Sequence, residues 1–78
     1  MSRAEEVRGA VADHLGIDPG VLTAQASLGG DLRLDSLAGM ELATALEDRF
    51  VVRITDEELA ALRTYGDLEQ LVLRKVAA

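Results

Sequence analysis

The chain has no cysteine and no tryptophan, one histidine, one proline and only two aromatic residues, Phe50 and Tyr65. Without cysteine there is neither a disulfide framework nor a thiolate metal site. His14 lacks the companion ligands that a zinc site needs, so no metal is expected. With so few aromatics the interior must be filled by Leu, Val, Ile and Ala, which in 78 residues suits a helical bundle better than a sheet. That length is near the lower end of what a single hydrophobic core supports. No apolar run approaches the ~20 residues of a membrane span, and the first residues, Met1 to Glu6, are too acidic and polar for a signal peptide. A soluble, cytoplasmic protein is expected.

Basic residues are scarce too. The net charge is −6, which argues against binding nucleic acid, since that needs a basic footprint. Between Asp31 and Glu58 eight acids (Asp31, Asp35, Glu41, Glu47, Asp48, Asp56, Glu57, Glu58) face three bases (Arg33, Arg49, Arg53). The stretch is either a solvated face that keeps a small protein soluble or a docking surface for basic partners.

Ser2-Arg3-Ala4-Glu5 has the form of a capping box, and Ala4, Val7, Val11 and Leu15 then mark one helical face. Gly16 stops this helix and Asp18-Pro19-Gly20 turns the chain. The connection over residues 17–35 is long for a compact domain. Val21, Leu22, Leu28, Leu32 and Leu34 supply apolar anchors that should order it over the bundle. Gly29-Gly30 is a bend, and no phosphate-binding glycine-lysine pattern is present.

A second helix is predicted from Ser36 to Phe50 or Val51. Leu42, Leu46 and Phe50 form a row at spacing four, widened by Leu37, Met40 and Ala43, with Glu41, Glu47 and Asp48 on the solvent side. Gly39 within it should cost about 0.5–1 kcal/mol relative to Ala. It is either a tolerated flaw or room for close approach of a backbone or ligand arm. Thr55-Asp56-Glu57-Glu58 opens a short third helix ending near Arg63, with Leu59 and Leu62 inward. Thr64-Tyr65-Gly66-Asp67 starts the last, with Leu68, Leu71, Val72 and Val76 on one face and Arg74 and Lys75 suiting its C-terminal dipole.

The fold class expected is therefore all-α: a four-helix bundle of three longer helices and one short third helix, with a long ordered loop between the first two. Asp35-Ser36-Leu37 sets a hydroxyl where loop becomes helix. There, unpaired backbone N–H groups and the dipole favour negative charge, so a phosphate ester would find an anion site. Serine is also among the commonest N-caps. No base accompanies Ser36, because His14 is alone and distant in sequence, and an enzyme is not expected.

The ordered run of Asp35-Ser36-Leu37, Glu41-Leu42, Leu46-Glu47-Asp48-Arg49-Phe50, Ile54-Thr55-Asp56-Glu57-Glu58 and Thr64-Tyr65-Gly66-Asp67-Leu68 resembles an acyl carrier protein, of the free-standing bacterial type. The resemblance covers nearly the whole chain. It implies one carrier domain over residues 1–78, with a covalent 4′-phosphopantetheine arm on Ser36, donated by coenzyme A through a phosphopantetheinyl transferase. The arm's thiol would hold acyl groups as thioesters. Acyltransferases, ketosynthases or other acyl-processing enzymes would read the acidic second helix, with Asp35, Leu37, Glu41, Glu47, Asp48 and Asp56 as recognition residues. Leu37, Met40, Leu46, Ile54, Leu59, Leu62 and Leu68 are core on the local reading, and the resemblance implies that such an interior can part to line an acyl chain. A monomer is expected.

Arg33-Leu34 stands where many carriers of fatty acid synthesis have Gly-Ala. With Gly39, it favours a carrier dedicated to polyketide or related specialised biosynthesis over a housekeeping carrier of fatty acid synthesis. The rival of another class is a small helical interaction domain with Ser36 only a cap. Ser36→Ala is expected to abolish loading and to cost roughly 1 kcal/mol of capping, and Glu41→Lys or Glu47→Lys to slow partner reactions without unfolding.

Overall fold

The computed structural model describes residues 2–77; Met1 and Ala78, the ends of the expected domain, lie outside them. The elements are α1 (Arg3–Leu15), a 3-10 turn (Pro19–Val21), α2 (Ser36–Phe50), α3 (Asp56–Ala60) and α4 (Tyr65–Ala77), with no strand among the described residues. The all-α four-helix reading holds, and α1 packs against both α2 and α4.

Both capping boxes form. Ser2 Oγ accepts from Glu5 N–H at 3.1 Å while the Glu5 carboxylate accepts from Ser2 N–H at 3.0 Å. Thr55 and Glu58 repeat the exchange at 3.1 and 3.0 Å. At α4, Thr64 Oγ1 accepts from Asp67 N–H, and the Asp67 carboxylate accepts from the N–H groups of Arg63 and Thr64. These bonds satisfy donors that each helix start leaves unpaired. α3 stops at Ala60 rather than near Arg63. Its last turn tightens, with Ala61 N–H shared between Glu57 and Glu58 carbonyls and Leu62 N–H reaching Leu59 O. The chain then leaves the helix so that Arg63 O can accept from Leu28 N–H at 2.9 Å.

That last bond belongs to a seam ordering the long connection. Ser27 pairs with Thr64 in an antiparallel bridge. Tyr65 N–H donates to Ala26 O at 2.8 Å and Gly66 N–H to Ala24 O at 3.1 Å. At Gly66 a Cβ would lie 2.9 Å from Ala24 O, so the close approach of loop to helix needs glycine there. Leu22 and Ala26 are buried, and Leu28, Leu32 and Leu34 pack against the core, as expected; Val21, also expected as an anchor, is exposed. It sits in the 3-10 turn with its side chain outward, and Leu22 takes the inward position.

The core joins Val7, Val11 and Ala12 of α1, Leu42, Ala43 and Leu46 of α2, Ile54, and Tyr65, Leu68, Leu71 and Val72 of α4. The α2 stripe is narrower than its spacing suggested, since Leu37 and Met40 are 62% and 47% exposed. Tyr65 is buried, its hydroxyl donating to Glu69 at 2.9 Å, and Arg8 reaches the same carboxylate at 3.3 Å, tying α1 to α4.

α1 and α2 end alike. Gly16 (φ 68) and Val51 (φ 54) are left-handed, and in each turn the next residue's N–H returns to the carbonyl five residues back. Glycine takes this conformation freely, whereas a β-branched residue is strained in it. Val51 is 89% exposed, so its side chain offsets none of that strain. Val51→Gly should therefore raise stability by roughly 0.5–1 kcal/mol, the left-handed penalty less the freedom glycine adds to the unfolded chain, read as a higher urea midpoint.

Stability should also depend on acid pH. The Lys75 ammonium, 2.8 Å away, and then Thr55 N–H hold the Glu58 carboxyl below the ordinary glutamate value of 4.5. The Ser2 N–H does the same for Glu5, and the Arg63 and Thr64 N–H groups lower Asp67 from 3.8. Carboxyls depressed in the fold bind fewer protons folded than unfolded, so their contribution is complete above the unfolded values and is lost as pH falls through the folded ones. The melting temperature is expected to hold from neutrality to about pH 5 and to fall below it. Lys75→Met should flatten that fall.

Candidate functional site

Ser36 is the first residue of α2, and the residue before it does the capping. Asp35 has extended backbone angles (φ −84, ψ −176), and its Oδ1 accepts from Ala38 N–H at 2.8 Å. Its carbonyl accepts from Gly39 N–H at 2.8 Å. The reading of Ser36 as N-cap is thus corrected: aspartate and serine both cap well, and the chain enters α2 one residue earlier than a serine cap requires. The exposed Ser36 hydroxyl is left without that duty. The anion site is also less vacant than the sequence implied, because the Asp35 carboxylate already sits at the positive end of the helix. The Ser36 and Leu37 N–H groups still lie before the helical ladder begins.

The loop leading in is held tightly. Ser27 N–H donates to the Asp31 carboxylate at 2.9 Å, and Asp31 N–H to Ser27 Oγ at 2.8 Å. Leu32 N–H reaches Ser27 O at 3.0 Å and Leu34 N–H reaches Leu28 O at 2.9 Å. Between them Arg33 takes a left-handed φ of 56. An arginine there carries a strain of order 1 kcal/mol that a glycine would not, and its side chain is exposed.

Beside Ser36 opens a cleft of about 370 Å³ between the start of α2, α3 and the loop. α2 contributes Ser36, Gly39, Met40 and Ala43, spaced as one helical face, with Leu42 beside them. Leu28 and Leu34 come from the loop, Leu59, Ala60 and Leu62 from α3 and the turn after it, and Leu68 from α4. Asp35, Ser36 and Asp56 supply the polar groups, while the walls are aliphatic.

Of the residues expected to line an acyl chain, Met40, Leu59, Leu62 and Leu68 border this cleft, and Leu37, Leu46 and Ile54 do not. Leu37 faces solvent, whereas Leu46 and Ile54 lie in the core. Leu28, Leu34, Leu42, Ala43 and Ala60 border the cleft as well and are not among those expected residues. Periodicity marks them as apolar but not which of two apolar surfaces they meet.

On the outer side Glu41, Asp48 and Asp56 are exposed; Glu41 and Asp48 lie seven residues, about two turns, apart. Glu47 departs from its expected place. It is half-buried, and its Oε2 accepts from Ile54 N–H at 2.7 Å, fastening the chain after α2. No group of His, Asp or Glu side chains fit to hold a metal occurs among the described residues.

Residues 5–72 match the family described as phosphopantetheine attachment site. The chain is 45% identical over 74 residues to an acyl carrier protein of Thermosynechococcus vestitus, covering 95% of this chain and 91% of that one. It is 41% identical over 68 residues to a meromycolate extension acyl carrier protein of Mycobacterium leprae. That match covers 82% of this chain and 59% of the relative, so the chain spans about three fifths of that protein's length. Among solved structures, it is similar to the acyl carrier proteins of Thermotoga maritima (TM-score 0.76, 26% identity, 94% of this chain and 85% of that one) and Enterococcus faecalis (0.75, 28%, 96% and 99%).

The capping geometry reverses the expected costs of substitution. Asp35→Ala should lose about 1 kcal/mol, while Ser36→Ala stays within ~0.5 kcal/mol of the parent. Glu47→Lys should lose about 1–2 kcal/mol by freeing a half-buried N–H. Urea unfolding of the three variants checks the order.

Proposed function

The chain belongs to the phosphopantetheine-attachment family of acyl carrier proteins, and from that membership we propose that Ser36 bears the arm. Proteins of this family carry acyl groups on phosphopantetheine and are not catalysts. They work with phosphopantetheinyl transferases and acyl-processing enzymes. The observation that carries the assignment is the exposed Ser36 hydroxyl, at the first position of α2 and on the rim of an aliphatic cleft, with helix capping done by Asp35.

The chemistry fits those surroundings. Ser36 Oγ gives up its proton to the transferase and bonds to the phosphopantetheinyl phosphorus of coenzyme A, becoming an ester oxygen of the phosphodiester, as the pyrophosphate P–O bond breaks and adenosine 3′,5′-bisphosphate leaves. The Ser36 and Leu37 N–H groups face the new negative charge at the helix start. Asp35 opposes it, and Arg33, three residues before Ser36, offers the nearest compensating charge in sequence.

Glu41, Asp48 and Asp56, with exposed Leu37, form the surface that basic partners read, and Asp35 borders it. Glu47 is left out because its carboxylate already holds Ile54. Each exposed ion pair is worth only about 0–1 kcal/mol, which suits brief binding to several enzymes. Residues 1–78 are one carrier domain, working as a monomer in the cytoplasm.

Arg33-Leu34 and Gly39 support a pathway-dedicated carrier, in polyketide or related specialised biosynthesis. The second reading, fatty-acyl synthesis or extension, is favoured by the names of the mycobacterial relatives. The acyl group on protein purified from its own cells separates them: unreduced poly-β-keto chains support the first and fully reduced saturated chains the second, since a single β-keto group arises in both.

Incubation with coenzyme A, Mg²⁺ and a broad-specificity phosphopantetheinyl transferase should add one phosphopantetheine by intact mass, and none to Ser36→Ala. Joint reversal by Glu41→Lys and Asp48→Lys should lower kcat/KM of this modification by roughly tenfold or less at low salt, with the melting temperature unchanged. An unaltered rate would remove the docking role.

A further inference from the structure

Gly39 is a glycine that neither its backbone nor its packing requires. It lies inside α2, and its φ is outside the left-handed range that favours glycine. A Cβ built on it would meet nothing within 4 Å. A glycine inside a helix is destabilising relative to alanine, and here no steric conflict explains its presence.

Its position supplies a reason. Gly39 is three residues beyond Ser36 and four before Ala43, and all three border the cleft with Met40 between them. A side chain at 39 would therefore project from the cleft-bearing face of α2 into open space, in a cleft that Ser36 and Leu68 also line. At about 370 Å³ the cleft is near the small end of ligand sites, so one added side chain is a substantial part of its entrance.

We propose that the missing side chain at Gly39 keeps this entrance open to the apolar acyl end of the arm on Ser36, making Gly39 the residue that sets how bulky a cargo the cleft admits. The inference rests on Ser36 being the attachment residue. Polar groups stay at the rim, with Asp35 and Asp56, and the admitted part of the cargo is the hydrocarbon that Leu59, Leu62 and Leu68 can cover.

The test uses the full chain, with octanoyl-phosphopantetheine loaded from octanoyl-coenzyme A by a broad-specificity transferase and counted by intact mass. Leucine methyl NMR then compares the octanoyl form with the form bearing the free thiol. In the parent, the Leu59, Leu62 and Leu68 methyls should shift on acylation, while Leu37, outside the cleft, should not. Gly39→Leu should take the arm and lose those shifts, with Gly39→Ala losing part of them while melting higher than the parent in the unmodified form. If the leucine variant refuses the arm, Gly39→Val and Gly39→Ala carry the comparison. Full loading of the variants with shifts equal to the parent's, or a loaded parent with no shifts, would overturn the inference alone. A folded parent that takes no arm at Ser36 would overturn the functional reading and the inference together.

Discussion

The seam between the long first loop and the junction of α3 and α4 is the constraint on which the rest depends. A chain segment of this length does not order itself, because fixing each residue costs about 1–2 kcal/mol of conformational entropy. Here Leu28 to Arg63, Tyr65 to Ala26 and Gly66 to Ala24 give the backbone partners, and burial of Leu22 and Ala26 supplies the hydrophobic gain. The closed turn from Ser27 to Leu34 is built on that seam, and it delivers Asp35 to the start of α2. The position of Ser36 is thus decided by contacts far from it in sequence.

The acidic stretch, one block by composition, divides into two populations in space. Asp31, Asp35, Glu47 and Glu58 accept backbone N–H bonds and hold turns and helix ends. Glu41 and Asp48 on α2 and Asp56 at the start of α3 are exposed, and Asp56 borders the same cleft as Ser36. The stretch therefore does not act as one face: the first four acids serve the fold, and only the other three are free for the proposed docking role. Charge density alone does not separate the two, since acids near a helix start are so often engaged by the backbone.

Local signals were the legible ones. Ser2-Glu5 and Thr55-Glu58 could be read directly because a capping box is complete within four residues, and Gly16 because one left-handed residue ends a helix in a recognisable way. Ser36 stood out because the order of residues around it is distinctive. Its distinction from Asp35 as the cap was not legible: two good capping residues in succession differ only in which one the loop geometry makes extended. Leu37 and Met40 were placed in the core because spacing gives the width of an apolar stripe but not its angle to the bundle. Glu47 read as a free surface acid because its partner, Ile54 N–H, is a backbone group that no side-chain pattern announces. The need for glycine at position 66 depends on Ala24, forty-two residues earlier, and leaves no local trace.

Tyr65 gives the molecule a built-in optical reporter. With no tryptophan in the chain, its phenol is the sole strong source of intrinsic ultraviolet emission, and it sits in the core where α4 meets the loop seam, bonded to Glu69. Burial, and then the neighbouring Glu69 carboxylate, push its ionisation up from the ordinary 10.0. A neutral phenol favoured by the fold contributes stability that is complete below that value and is lost as alkaline pH rises through the folded one. The tyrosinate absorbance band of this chain therefore registers the opening of the bundle at alkaline pH, whereas a surface phenol would register only its own titration.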